Sequence, residues 1–285
     1  MKEFDTQTQT SSAEPRFAML SETDKSRIPE MVRRTLGYEN PDDVHRLQDQ
    51  ISSSGGLLRV FVHPFYLDGK SSRRTENSTE TQHRLASSYA IVRQGAIRHI
   101  RAEGKAPLIV LEEQGVHRPE LDGVLTIATE TSDGSIDRAL LRQVFADFDV
   151  YKERILQARK RAQMRIDASF RRIEETESDG ALDDYTRQLV IAQHRTNIVH
   201  EERKLREDDF VREAGIEPLF YDTFFRYLGV RKLILGGMFH DDLPEGSRGC
   251  LSQVIGFAKQ AGIPVVLSRY HVDFQGKNVQ GRELA

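Results

Sequence analysis

At 285 residues, 38 % hydrophobic and 30 % charged, the chain has apolar material for one large domain or two modest ones. A net charge of -3 and a pI near 6.3 exclude a global attraction to nucleic acid or anionic membrane. One cysteine, Cys250, excludes an intrachain disulfide framework and a cysteine zinc cluster, and no stretch reaches the roughly 18–20 apolar residues of a membrane span.

Met1 to Pro15 is polar, aperiodic and without a hydrophobic signal core. The expectation is a disordered leader over 1–20 and a reducing, cytoplasmic setting. Two short helices follow as an N-terminal arm over 21–56. The first opens near Ser21, carries Ile28, Met31, Val32 and Leu36, and ends at Gly37. The second opens at Asn40-Pro41-Asp42 and runs through Val44, Leu47 and Ile51 to the Ser/Gly stretch ending at Gly56.

Leu57 to Val62 reads as the first strand, stopped by His63-Pro64. A helix from Ser78 places Leu85, Tyr89, Val92, Ala96 and Ile100 on one face and closes at Gly104. Pro107 to Leu111 and Gly123 to Thr129 are the next strands, short and apolar enough to be buried on both faces. A helix then occupies 135–148. From 150 to 212 no strand signal remains. Ile155, Ala162, Ile166, Phe170 and Ile173 mark one narrow stripe, and Ile191, Ile198 and Leu205 mark another beyond the break at Gly180. That pattern predicts an antiparallel helical hairpin projecting into solvent. The alternation resumes with a helix over Pro218 to Leu228, a strand from Val230 to Leu235, a helix from Gly249 to Ala261 and a strand from Pro264 to Leu267. Five strands alternating with helices define the expected class: α/β, Rossmann-like and doubly wound, with a mainly parallel five-stranded sheet (57–149 and 213–285) interrupted by the hairpin.

In open parallel sheets ligands bind beyond the carboxyl ends of the strands. That edge gathers His63, Glu112, Glu113, Glu130, the loop from Gly236-Gly237 through His240-Asp241-Asp242, and Ser268, Arg269, Tyr270 and His271. His63 and Glu112 are the acid/base candidates. Gly246-Ser247-Arg248-Gly249 precedes a helix, and a helix N-terminus with an arginine suits phosphate or carboxylate; an ordinary loop with Ser247 as helix cap fits the same residues. Cys250 falls in that helix's first turn, where a thiolate nucleophile is favoured, although a small buried side chain is the plainer reading.

The run Phe220 to Val266 resembles the second half of isochorismatase-like cysteine hydrolases: an aromatic helix, a strand ending in glycine, a cysteine at the next helix start and a closing strand. The resemblance implies a cysteine nucleophile at Cys250. The family's aspartate after the first strand is here His63-Pro64, with Asp68 later, and its lysine is missing between Gly215 and Val230.

Asp241, Asp242, His240, His63 and Glu112 have the ligand chemistry for a divalent metal, without diagnostic spacing. Asp68-Gly69-Lys70-Ser71 resembles the end of a phosphate-binding loop, but Pro64 stands where its first glycine belongs. Lys152, Arg154, Arg159, Lys160, Arg161, Arg165, Arg171 and Arg172 form a basic stripe with Glu153, Asp167, Glu174 and Glu175 mixed in. Pairing of charges between exposed helices accounts for it as well as phosphate binding does. Two functions follow as expectations. One is an enzyme of hydrolase or transferase type acting on a small anionic or nucleotide-like molecule, with Gly236, Gly237, Ser247, Arg248, Gly249 and Arg269 binding it. The other is a non-catalytic protein whose 150–211 hairpin docks a protein partner or a second copy, with nucleic acid ranking behind both.

Overall fold

A computed structural model describes residues 16–65, 90, 92–98, 106–113, 121–130, 135–207, 209–240, 249–273 and 283–284. Six strands form one sheet: β1 (Leu57–Val62), β2 (Leu108–Glu113), β3 (Leu125–Thr129), β4 (Lys232–His240), β5 (Val265–Asp273) and β6 (Glu283–Leu284). Their order is β3-β2-β1-β4-β5-β6. The first five run parallel, and β6 adds a short antiparallel edge beyond the five expected.

Alternation along β1 divides the sheet into two faces. Leu58, Val60 and Val62 point into the main core, whereas Phe61 joins Val92, Ala96 and Val110 on the opposite side. The helical stretch 92–98 belongs to that second face, with Val92 and Ala96 on it as expected, and the rest of the helix expected from Ser78 to Gly104, residue 90 apart, lies outside the described residues. The main face carries α1 (Glu22–Thr35), α2 (Asp42–Ser53), α3 (Arg138–Phe145), α6 (Ile216–Tyr227) and α7 (Cys250–Gln260). Burial on both faces explains why β1 and β2 read as apolar runs and not as alternating strands, whereas in the edge strand β3 only Ile127 and Thr129 are buried.

The two N-terminal helices are part of this core and do not form a separate arm. Ile28, Met31, Val32, Val44, Leu47 and Ile51 are all buried in it. Ser21 caps α1 by accepting the Asp24 N–H at 3.0 Å. Residues 16–19, assigned to the leader from sequence, form a 3-10 turn. It is pinned to α6 by the Phe17 N–H donating to Asp222 Oδ2 at 2.7 Å, and Leu20 beside it is buried. Five residues are too few to show periodicity, so the polar stretch before them set the expectation.

β4 and β5 run several residues past their expected ends, so Gly236-Gly237 and Ser268 to His271 lie inside strands. Glycine and polar residues signal strand ends, but here pairing with a neighbouring strand carries β4 and β5 further. Phe61 and Val62 of β1 align with Gly236 and Gly237, and a register shift between Leu235 and Gly237 absorbs the longer β5.

The hairpin forms as predicted from α4 (Asp149–Ser178) and α5 (Asp184–Glu207). Its root is embedded in the core through Ile155, Ala158 and Ala162, while Ile166 and Ile198 form a thinner seam further out. Phe148 gives α4 no side-chain cap; the buried Asp24 of α1 does, accepting the Asp149 and Val150 N–H groups at 2.7 and 3.1 Å.

Candidate functional site

The strand order reverses direction between β1 and β4, which makes their carboxyl ends the topological switch point of the sheet. His63 leaves β1 there. It is the one non-glycine with positive φ, 49°, among the described residues. Its N–H donates to the Leu111 carbonyl at 2.8 Å, so the chain stays tied to β2 while turning. The side chain is fully buried, with Nε2 2.8 Å from Thr129 Oγ1 at the end of β3. A histidine in the left-handed region is held there by its surroundings.

Glu112, one residue beyond the partner of Val62 in the β1–β2 register, is 2 % exposed. Its Oε2 accepts the Phe65 N–H at 3.1 Å. The carboxylate thus fixes the backbone two residues after His63, and the two acid/base candidates lie at adjacent strand ends. Glu130 serves a different purpose. It accepts from the Arg138 N–H at 3.1 Å and from Nε at 2.9 Å, at the start of α3. Burial alone would raise its pKa, but the Arg138 hydrogen bonds and charge outweigh that and lower it, leaving a structural anion.

Across the switch point Gly237 runs against β1. A Cβ there would meet the Val62 carbonyl oxygen at 2.2 Å, and one at Gly236 would meet the Phe61 ring at 2.7 Å. The glycine pair is therefore needed for close strand approach, which its place at the expected ligand loop did not reveal. Beyond it, Gly249 is the N-cap of α7 and makes no side-chain cap hydrogen bond, so glycine stands where a capping serine was expected. Cys250 is the first helical residue and is 4 % exposed.

Beneath this edge lies a polar cluster that sequence reasoning missed. Ser135 Oγ accepts from Gln253 Nε2 of α7 at 2.9 Å and from Arg212 Nη2 at 3.3 Å. Glu217 Oε1 accepts the Ile136 N–H at 2.7 Å. One turn on, the Tyr221 hydroxyl is buried without a hydrogen-bond partner. Burial first, then the charges of Glu217 and Cys250, push its pKa well above the ordinary value. The available signal was Glu217 and Tyr221 at i,i+4 spacing on a Phe-rich helix, a polar pair on one side of a buried element.

Asp241, Asp242, Ser247, Arg248 and the Asp68–Ser71 run fall outside the described residues, and Arg269 lies within β5. Among the described residues no three His, Cys, Asp or Glu side chains gather to hold a metal ion. Two hollows lined by described residues lie away from the switch point. One, of about 580 Å³, runs between α4 and α5 and is lined by Arg165, Arg172, His194 and His200 among others. The other, of about 340 Å³, sits between α2 and the start of β4 around Gln48, Gly56, Tyr227 and Arg231. Part of the basic stripe of α4 is paired within the chain: Arg165 binds Glu201 and Glu213, Arg161 faces Glu213, Arg172 faces Glu175 and Lys152 faces Asp149.

These features define an α/β protein with a Rossmann-like, doubly wound sheet, and among its described residues no helix is long and apolar enough to cross a membrane. No known family model, curated protein or solved structure matches the chain.

Proposed function

We propose that the chain is an enzyme of hydrolase or transferase type acting on a small anionic or nucleotide-like ligand at the carboxyl edge of the sheet. The observation that carries this reading is the reversal of strand order between β1 and β4 beside a histidine held at φ 49°. Ligand crevices in parallel sheets open at such reversals, and backbone strain gathers at functional sites. His63 suits the proton-transfer role because imidazole changes charge near neutral pH and Thr129 fixes its ring. Glu112, at the neighbouring strand end, is the second candidate. The start of α7, with Gly249 giving it no side-chain cap, offers N–H groups and a partial positive charge to a phosphate or carboxylate. Cys250 in that turn is the candidate nucleophile.

The test is thermal unfolding of the wild type, His63→Gln and Cys250→Ser with inorganic phosphate, AMP and ADP as probes. A probe at 100 times its Kd stabilises the native state by about 2.7 kcal/mol, a rise of several degrees for a chain of this size. At least one probe raises the wild-type Tm, His63→Gln lowers that rise, and Cys250→Ser keeps it. No rise with any probe, or the same rise in His63→Gln, sinks the reading.

A second reading, an interaction arm, is favoured by one observation. Of the seven exposed large hydrophobic side chains among the described residues, six lie on the hairpin and only Met19 lies elsewhere.

A further inference from the structure

We infer that α5 is a self-association surface, pairing antiparallel with α5 of a second copy of this chain. The surface is independent of the catalytic edge, and residue spacing on α5 marks it. Tyr185, Leu189, Ala192, Thr196 and Val199 follow one another at intervals of four, three, four and three residues, the spacing of a coiled-coil seam. All five are exposed, with Tyr185 at 77 %, Leu189 at 60 % and Val199 at 61 %. The seam that α5 makes with α4 uses a different face, marked by buried Ile198 and by Glu201, which accepts from Arg165 at 2.8 Å. Folding of the single chain therefore accounts for one apolar stripe of α5 and leaves the other uncovered. Thr196 fits an apolar seam because its hydroxyl is already used within the helix, donating to the Ala192 carbonyl at 2.9 Å.

The stripe is complementary to itself. In a two-fold antiparallel pair centred between Val190 and Ile191, Leu189 lies over Ala192 of the copy and Tyr185 over its Thr196. Each large side chain meets a small one, and symmetry repeats both contacts. The same arrangement brings Val199 over Leu182, in the turn before the helix. Charge follows the same pattern. Asp184 at the start of α5 and Arg195 further along lie on one flank of the stripe, and both are exposed. Antiparallel pairing sets each within reach of the other's counterpart, giving two opposite-charge contacts per dimer. A single helix thus supplies both the large and the small halves of the seam and both signs of its rim, which is why a second copy is the occupant. The pairing is isologous and closes on itself, so it ends at a dimer.

Sedimentation equilibrium of the full chain tests the inference, the monomer being 32.6 kDa. The wild type sediments at twice that mass at tens of micromolar. Leu189→Glu raises the dimer dissociation constant by roughly tenfold or more while keeping wild-type helix content, because a charge enters the seam centre. Met164→Glu leaves it unchanged, since Met164 sits half a turn from the buried Ile166 on the outer side of α4. Asp184→Arg and Arg195→Asp each weaken the dimer, and the two together restore it. A wild type monomeric throughout, a dimer indifferent to Leu189→Glu, equal weakening by Met164→Glu, or a charge swap that fails to restore would each overturn the proposal.

Discussion

Replacing Gly237 by alanine tests the closeness of β1 and β4, on which the switch point depends. The added Cβ would lie 2.2 Å from the Val62 carbonyl oxygen and 2.6 Å from the Val62 nitrogen, both backbone atoms of a paired strand that cannot swing aside. The residue also sits at φ 128°, a region that L side chains rarely adopt. The conformational cost is about 1–3 kcal/mol. The steric conflict adds about 1–3 kcal/mol, as overpacking does elsewhere in protein cores. Gly262→Ala is the control: φ is 69°, yet nothing lies within 4 Å of the new Cβ, so only the conformational part, about 1 kcal/mol, applies. With about 2–4 °C lost per kcal/mol in chains of comparable size, Gly262→Ala falls by a few degrees and Gly237→Ala by about 10 °C or more. Differential scanning calorimetry reads both. Equal shifts in the two variants would refute the close approach of β1 and β4 at this point.

Asp24→Ala removes a buried carboxylate that serves two N–H groups of α4 and faces Arg27 at 3.2 Å, so chemical denaturation finds a loss of about 2–4 kcal/mol. A loss under about half a kcal/mol would show that α4 starts without that cap. Tyr221→Phe deletes a buried hydroxyl that has no hydrogen-bond partner, so stability holds or rises by up to about 1 kcal/mol, where a typical buried Tyr→Phe change costs that much. A clear loss would mean the hydroxyl is satisfied after all. For Glu201, burial alone raises the pKa, but hydrogen bonds from Arg165 and Lys204 outweigh it and hold it below the ordinary value of 4.5. A depressed carboxylate contributes stability above its unfolded pKa and loses it as pH falls through the folded value. Hydrogen-exchange protection at the end of α5 therefore stays level from neutrality to about pH 4.5 and falls below it, and Glu201→Gln removes that acid step. An unchanged acid step in the variant would place its cause elsewhere.

The sheet was legible because burial on both faces writes itself into sequence as short apolar runs between Gly, Pro and Asp. β1 is found to the residue, and β2 and β3 to within two residues at either end. The hairpin was legible for the opposite reason: narrow apolar stripes in a charged background over sixty residues admit no other regular structure. What failed was termination. Gly236-Gly237 and Ser268 to His271 look like strand ends because glycine and polar groups weaken an isolated strand, yet β1 keeps the glycine pair in the ladder and β4 carries the extension of β5. The N-terminal helices read as an arm because amphipathicity reveals that a face is buried without saying against what.

The site divides along the same line. That His63 and Glu112 sit at neighbouring strand ends follows from counting strands, since parallel crossovers bring their carboxyl ends to one edge. The side-chain partnerships were out of reach. Thr129 is 66 residues from His63, and Ser135 is 118 from Gln253, and nothing local to either member encodes the other. The glycine pair illustrates why residue type alone misleads at such an edge. Glycine admits a ligand and admits a neighbouring strand for one reason, the missing Cβ, and at Gly237 the space is filled by the backbone of Val62. The gap between β1 and β4 is already closed by main chain.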